Sequence, residues 1–329
     1  MTRRLAFFIL LAAALWAGGQ TPAEKLIAEG HWKRARAIVE PRYREDPGDP
    51  LANFLLSQIR NAFGDRESPP KLAEKAVTLA PHVARFHRQM AEVIGVMAQQ
   101  ANVLRQLLLA RRFQREIDVA LALDPKDLQA LRDLMEFYLL APGIAGGDLD
   151  KARATAARIA AIDPSEGCLA ETQLAGYRRE TARVEGLLKK AEEAGPGNFR
   201  AIETLADYEL APEHQNLDLA AQEGREAIAR DPSRVTGYSI LAEVYAARES
   251  WGELDALLGT AEKNVPDDLT PYYRAAGRLL HTDRDIPRAE SYLRKYLSQE
   301  PEGNQPALAE ARAKLAGARR GAAPASRER

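Results

Sequence analysis

The chain has 329 residues, of which 46% are apolar and 28% charged, and its formal net charge is -1. This composition is typical of a soluble globular protein with enough apolar residues to build a core. The balance of acidic and basic residues gives no support to nucleic acid as a partner, because that interaction favours strongly basic surfaces.

The first nineteen residues have the pattern of a secretory signal peptide. Arg3 and Arg4 precede the apolar run LAFFILLAAALWA, residues 5–17, and the small residues Gly18 and Gly19 suit cleavage. A membrane-spanning helix needs about 20 apolar residues, and this run is shorter. We therefore expect residues 1–19 to be a signal peptide and the protein to be periplasmic or secreted. A retained membrane anchor is the alternative.

Cys168 is the only cysteine, so an exported chain cannot form an internal disulfide bond. No histidine lies near it in the sequence. We therefore expect Cys168 to act as a small apolar side chain on a helix and not as a reactive thiol.

Prolines mark an internal repeat along most of the chain. They follow segments with helical apolar spacing and recur every 32 to 44 residues. These residues are Pro47, Pro81, Pro125, Pro164, Pro196, Pro232, Pro266 and Pro301. Because the intervening segments are similar in length, the sequence predicts about eight copies of one structural unit.

The unit at residues 235–266 shows the pattern most clearly. Its first half places apolar or small side chains three and four residues apart, which is the spacing of one helical face. These side chains are Tyr238, Leu241, Ala242 and Tyr245. A second apolar stripe follows through Trp251, Leu254, Leu258 and Ala261. The unit is therefore predicted to be two short amphipathic helices in an antiparallel hairpin.

These positions resemble the tetratricopeptide repeat, in which small residues let neighbouring hairpins pack closely. The resemblance covers residues 21–301 and is looser where Glu209 replaces an aromatic residue and Gly224 replaces a large apolar one. In residues 167–196 the register of the first helix stays open. The resemblance implies an all-α fold, a right-handed superhelical solenoid of antiparallel helix hairpins, that binds proteins and is not an enzyme.

Residues 85–125 are longer than the repeat by ten residues and contain no internal proline or loop cluster. We expect two extended helices here, with extra turns that project beyond the neighbouring hairpins.

The sequence PGIAGG, residues 142–147, has glycines that suit either a phosphate cradle or a widened turn. The repeat register places Leu149 at the start of a second helix, so PGIAGG falls in the turn inside a hairpin. Asp148 then occupies the N-cap, where its carboxylate would take the amide hydrogens that a phosphate needs. We therefore expect an elongated elbow. The same turn resembles one in a bacterial exported subset of tetratricopeptide proteins.

The pattern divides the chain into four regions. We expect a signal peptide at 1–19, a helical solenoid of about eight hairpins at 20–301, a capping helix at 302–319 and a disordered tail at 320–329.

Sequence motifs for catalysis, cofactors or metals are absent. His82 and His87 are the only close pair of histidines, and a separation of five places them on different helix faces. No nucleophile elbow, zinc-protease motif or phosphate-binding lysine loop occurs. We expect no catalytic, cofactor-binding or metal-binding residue, and an enzyme that uses the groove as its active site is the least favoured alternative.

The resemblance also implies a binding surface, because the second, fifth, ninth and twelfth positions of each unit face a concave groove. The candidate groove residues are Arg85, Arg88, Glu92, Gln129, Arg132, Glu136, Arg200, Glu203, Asp207, Glu243, Arg274, Arg278 and His281. Their mixed charge suits a protein or peptide partner held by charge-assisted hydrogen bonds. The alternative is that Arg88 with Glu92, and Arg132 with Glu136, form ordinary helix pairs.

Overall fold

The computed structural model describes residues 20–322, with side chains described as far as residue 318. The predicted signal peptide and the last seven residues of the tail lie outside this range. Every regular element within it is helical, with 17 α-helices and one short 3-10 helix. The all-α prediction is therefore confirmed.

The first compact unit ends at Gly147. Its helices are α1 Pro22–Ala28, α2 Trp32–Glu45, α3 Pro50–Ala62, α4 Ser68–Leu79, α5 Ala84–Gln99, α6 Val103–Leu123 and α7 Leu128–Leu140. The helices pack in consecutive pairs, α1 on α2, α3 on α4 and α5 on α6, and the first helix of each pair also contacts the first helix of the next. One row of first helices therefore runs through the unit.

The second unit begins at Asp148. Its helices are α8 Leu149–Ile162, α9 Pro164–Tyr177, α10 Thr181–Ala194, α11 Phe199–Leu210, α12 Leu217–Arg230, α13 Thr236–Ala247, α14 Trp251–Asn264, α15 Thr270–His281, α16 Ile286–Tyr296 and α17 Leu308–Ala322. The helix pairs repeat, and α11, α13 and α15 form the row of first helices here.

The prolines mark helix ends. Pro47, Pro81, Pro125 and Pro232 each lie two residues after the last residue of a second helix. Proline disfavours the α conformation of the residue before it, so these helices end where the sequence predicts. Aspartate and asparagine then start the following first helices, as where the Asp127 carboxylate accepts the amide hydrogen of Ala130 at 3.0 Å.

Gly224 departs from the repeat because two helices approach unusually closely there. A Cβ atom on Gly224 would lie 2.8 Å from Leu241 Cγ, and one on Gly237 would lie 2.6 Å from the Gly224 carbonyl oxygen. Helices α12 and α13 can approach this closely only if both residues lack a side chain. A large apolar residue is therefore absent at position 224 because α12 and α13 are in close contact there.

The long segment forms two extended helices, as the sequence predicts. Helix α5 has 16 residues and α6 has 21, whereas α3 and α4 have 13 and 12. At the beginning of α6, Val103, Leu104 and Leu108 are 71%, 78% and 66% exposed. These apolar side chains distinguish the extra turns from an ordinary solvated helix end.

The PGIAGG segment forms the expected elbow, with a 3-10 helix at Gly143–Ala145. Gly146 has a φ of 110°, and a Cβ atom on Gly147 would lie 1.7 Å from the Ala141 carbonyl oxygen. The Asp148 carboxylate accepts the amide hydrogens of Asp150 and Lys151 at 3.0 and 3.1 Å. This N-cap uses the donors that a phosphate would need, so the local geometry favours a turn over an anion site.

The final helix α17 packs on α16, and Ala311 is buried there. It extends three residues beyond the predicted boundary at 319, into the segment that the sequence assigns to the tail. Cys168 lies on α9 and packs beside the buried Leu169 and Leu188, and burial raises the pKa of its thiol.

Candidate functional site

In the second unit, the row of first helices brings five of the candidate groove residues to one cavity of about 400 Å³. They are Asp207, Glu243, Arg274, Arg278 and His281. Three different first helices contribute these side chains, because the same repeat position on each helix faces the same side. We call this the charged cavity.

Ion pairs join the side chains of the charged cavity into a chain. Arg274 pairs with Asp207 and lies 2.9 Å from the Glu243 carboxylate. Arg278 lies 2.7 Å from the other oxygen of Glu243 and also donates to the Leu210 carbonyl oxygen. The chain thus links helices α11, α13 and α15 through bonds between side chains.

The charged cavity has a buried inner part and an accessible outer part. The Arg278 side chain is only 6% exposed, whereas those of Arg274 and Asp207 are 31% and 49% exposed. Beside them, partial desolvation raises the pKa of Glu203, and the Asp207 carboxylate adds to that shift. The inner pair therefore serves the fold, and the outer groups are open to a partner.

Glu203 does not line the charged cavity, and neither does Arg200, the last candidate of this unit. It pairs with Glu166, whose side chain is almost fully buried. The structure thus places Arg200 on the same helix as Asp207 but in a separate ion pair.

In the first unit, the two candidate arginines of α5 bond to residues outside their own helix. Arg85 lies 2.7 Å from Glu24, and Arg88 lies 3.1 Å from Asp127, just before α7. The alternative interpretation, a four-apart pair of Arg88 with Glu92, is therefore not the ion pair that forms. The partner from the adjacent hairpin is closer, which local sequence spacing does not show.

The candidates on α7 are bonded along the helix or face a cavity. Gln129 donates to Asp133 at 2.7 Å and accepts a hydrogen bond from Arg132. Glu136 is exposed and lines the cavity described next.

A second cavity, of about 510 Å³, lies between α5, α6, α7 and the elbow of the first unit. Most of its lining is apolar, and the carboxyl groups of Glu92, Asp133 and Glu136 also line it. We call it the apolar cavity. Sequence reasoning finds Glu92 and Glu136 but misses Asp133 and the cavity. The sequence signal that could have revealed the cavity is the extra length of α5, α6 and the elbow, because these three segments line it.

Two carboxyl groups of the apolar cavity, those of Asp133 and Glu92, have raised pKa values. Burial, together with the nearby Glu92, raises the pKa of Asp133 to about 7, against the opposing effects of Gln129, Arg88 and Arg132. Burial also raises the pKa of Glu92, although Asn61 donates to it at 3.1 Å. Near neutral pH, Asp133 is therefore partly protonated.

A third group of carboxylates lies on α10 and α12, where oxygen atoms of Glu192, Glu223 and Glu226 are within 4.8 Å of one another. Glu223 is 1% exposed. Burial raises its pKa to about 7, with further increases from Glu192, Glu226 and Glu209 and a smaller opposing effect of Arg230. Protonation of Glu223 relieves the repulsion among the three carboxylates.

No protein-family model matches the sequence, and no curated protein is similar enough to count as a relative. Solved structures do match the fold. A tetratricopeptide repeat protein of Thermus thermophilus, TTC0263, is 19% identical with a TM-score of 0.50, over 57% of this chain and 96% of its own. Yeast Tom70 is 16% identical with a TM-score of 0.54, over 92% of this chain and 64% of its own. The chain therefore has the fold of the tetratricopeptide repeat proteins.

Proposed function

We propose that the chain is a non-catalytic scaffold of the cell envelope that binds a protein or peptide partner on its row of first helices. The observation that carries this proposal is the charged cavity, where three first helices place acidic and basic side chains around one accessible opening. A solenoid presents such a surface to partners because its other helices cover the outside of the stack.

The outer groups of the charged cavity suit a polar chain segment. Asp207 accepts hydrogen bonds, Arg274 donates them, and Lys314 adds a further basic group to the lining. A peptide that offers one basic and one acidic group could exchange with the pair of Arg274 and Asp207 at little cost, since both side chains are already ordered. This arrangement supports recognition by charge pattern and gives less support to a purely apolar docking surface.

The envelope location follows from the N-terminal sequence, which resembles an export signal. Within residues 20–322, no helix combines the length and the apolar character that crossing a bilayer requires. The alternative is an adaptor that keeps residues 5–17 as a membrane anchor. Determining the N-terminal residue of the protein purified from its native envelope separates the two, since cleavage would leave a chain that begins near residue 20.

A site-specific photocrosslinker tests the binding face. Gly277 lines the charged cavity, and a Cβ atom added there would have no other atom within 4 Å. Gly259 on α14 is equally free of neighbours but lies on a second helix. We expect a crosslinker at position 277, and not at 259, to give discrete adducts in native envelope extract. Equal adducts from both positions, or none from 277, would contradict the proposal.

A further inference from the structure

Three departures from the repeat meet at the apolar cavity. The extra turns of α5 and α6 form two of its walls, α7 forms a third, and the elbow at Pro142, Ile144 and Ala145 closes one side. A volume of about 510 Å³ is in the range of pockets that hold small organic molecules. The extra length of this hairpin thus encloses space, whereas ordinary repeats of this chain pack their helices directly on each other.

The walls of the cavity are built for an apolar molecule. Leu107, Leu109 and Phe113 of α6 face Phe137 of α7, and the rings of Phe113 and Phe137 stack with centroids 5.0 Å apart. At the rim, Ile144 is 82% exposed and Leu140 is 63% exposed. Leaving such side chains in water is unfavourable, so a bound apolar body would gain free energy by covering them.

One part of the lining carries an unsatisfied carboxyl group. Asp133 Oδ1 accepts a hydrogen bond from Gln129, but Asp133 Oδ2 is buried and has no hydrogen-bond partner among the described residues. Glu92 and Glu136 line the same cavity, and α6 contributes only uncharged side chains to it. A buried acceptor without a donor is costly, and a ligand that supplies a donor there would remove this cost.

The charges around Asp133 favour a ligand whose hydrogen-bond donor is positively charged. On α5 the nearby basic residue is Arg88, which is engaged with Asp127, and on α7 it is Arg132, which donates to Gln129. Three carboxyl groups therefore share the cavity lining, and neither arginine is part of that lining. An anionic ligand would meet repulsion in this position, whereas a cation would pair with the carboxylates.

We propose that the apolar cavity binds a small molecule with an apolar body and a single cationic nitrogen group, an ammonium or a guanidinium, which donates to Asp133 Oδ2. This site lies in the first unit and does not depend on the charged cavity. The present proposal adds a small-molecule ligand to the proposed scaffold, and each of the two proposals can be wrong while the other is right.

Three probes with the same alkyl chain test the proposal by isothermal titration calorimetry on the full-length chain. Decylamine has a cationic head, 1-decanol a neutral one and decanoate an anionic one. At pH 8 we expect decylamine to bind at least tenfold more tightly than 1-decanol, and decanoate to bind most weakly. Asp133→Asn should reduce the preference for the amine, because only Glu92 and Glu136 then remain to pair with a cation, while 1-decanol still binds. The control Asp118→Asn, on α6 but outside the lining, should bind like the unmodified chain.

The pH dependence gives a second readout. The cation pairs with ionised Asp133, so the affinity for decylamine should fall as the pH is lowered from 8 to 6. Glu92 and Glu136 face the same position, and Arg88, Arg132 and Gln129 oppose the protonation of Asp133. The affinity for 1-decanol should change by less than twofold over the same range.

If Asp133→Asn fails to fold, a second variant that fills the apolar cavity still tests the proposal. A Cβ atom on Gly95 would have only Phe113 near it, at 3.9 Å, so Gly95→Leu should extend into the cavity and abolish binding of all alkyl probes. Gly186→Leu, at an open position on α10, is the control and should leave binding intact. Equal affinities for the amine and the alcohol, or no binding by any of the three probes, would overturn the proposal.

Discussion

Replacing Arg278 by methionine tests whether the inner part of the charged cavity belongs to the fold. The substitution keeps most of the apolar stem and removes the guanidinium, which lies 2.7 Å from Glu243 and donates to the Leu210 carbonyl oxygen. Removing one partner of a buried ion pair costs about 3 to 5 kcal/mol, because the other charge stays buried and unpaired. Arg274 stays 2.9 Å from Glu243 and compensates in part. We therefore expect a loss of about 2 to 3 kcal/mol in the free energy of unfolding.

Urea denaturation followed by circular dichroism measures this loss. The double variant Arg278→Met with Glu243→Leu removes both charges and should recover at least half of it. Arg284→Met is the control, since its pair with Glu249 is on the surface, and it should cost less than about 0.5 kcal/mol. A loss below about 1 kcal/mol for Arg278→Met, or no recovery in the double variant, would refute the structural role of the pair.

Three further predictions concern helix contacts, pH and the elbow. Gly237→Ala should lower the unfolding free energy by about 2 kcal/mol or more, because its methyl group meets the backbone of α12, whereas Gly259→Ala in an open helix position should raise it by about 0.5 to 1 kcal/mol. The pKa of Glu223 is raised to about 7 in the folded chain, so folding binds a proton between about pH 4.5 and 7, and stability should fall as the pH rises through that window. The loss should be up to about 3 kcal/mol and should vanish in Glu223→Gln, as followed by thermal denaturation at several pH values. Gly147→Ala should push the elbow away from the Ala141 carbonyl oxygen and weaken decylamine binding in calorimetry.

Much of the fold can be predicted because its determinants are local. Apolar side chains three and four residues apart define each helix face, and Pro47 and Pro81 end their helices where the repeat requires. The elbow is equally local, since the register of Leu149 and the N-cap at Asp148 assign it before any tertiary contact is known.

The parts that sequence reasoning misses depend on contacts between hairpins. Arg88 has a potential partner four residues away in Glu92, yet it pairs with Asp127 from the next hairpin. From the sequence, Gly224 is a departure from the repeat without a reason, whereas the structure shows that it allows a close contact with Gly237. The apolar cavity arises only when the extended helices and the elbow come together, and none of these segments contains a pocket motif alone.

For the candidate groove residues too, the sequence predicts one property and misses another. Their repeat positions predict which helix face they share, and in the second unit Asp207, Glu243 and Arg274 do line one cavity. The repeat position does not predict how exposed each side chain is, because Arg278 occupies an equivalent repeat position and is almost fully buried. How accessible these side chains are to a partner therefore depends on the ion pairs that they already form with neighbouring helices.

The most direct test of the scaffold proposal combines the crosslinker at position 277 with the substitution Arg274→Glu. This reversal places a second negative charge beside that of Asp207 at the accessible part of the cavity, and Arg284→Glu is its control on the surface. We predict that adducts from position 277 in native envelope extract persist with Arg284→Glu and fall at least tenfold with Arg274→Glu, while both variants stay folded. Unchanged adducts in folded Arg274→Glu would contradict the assignment of the first-helix face as the binding surface.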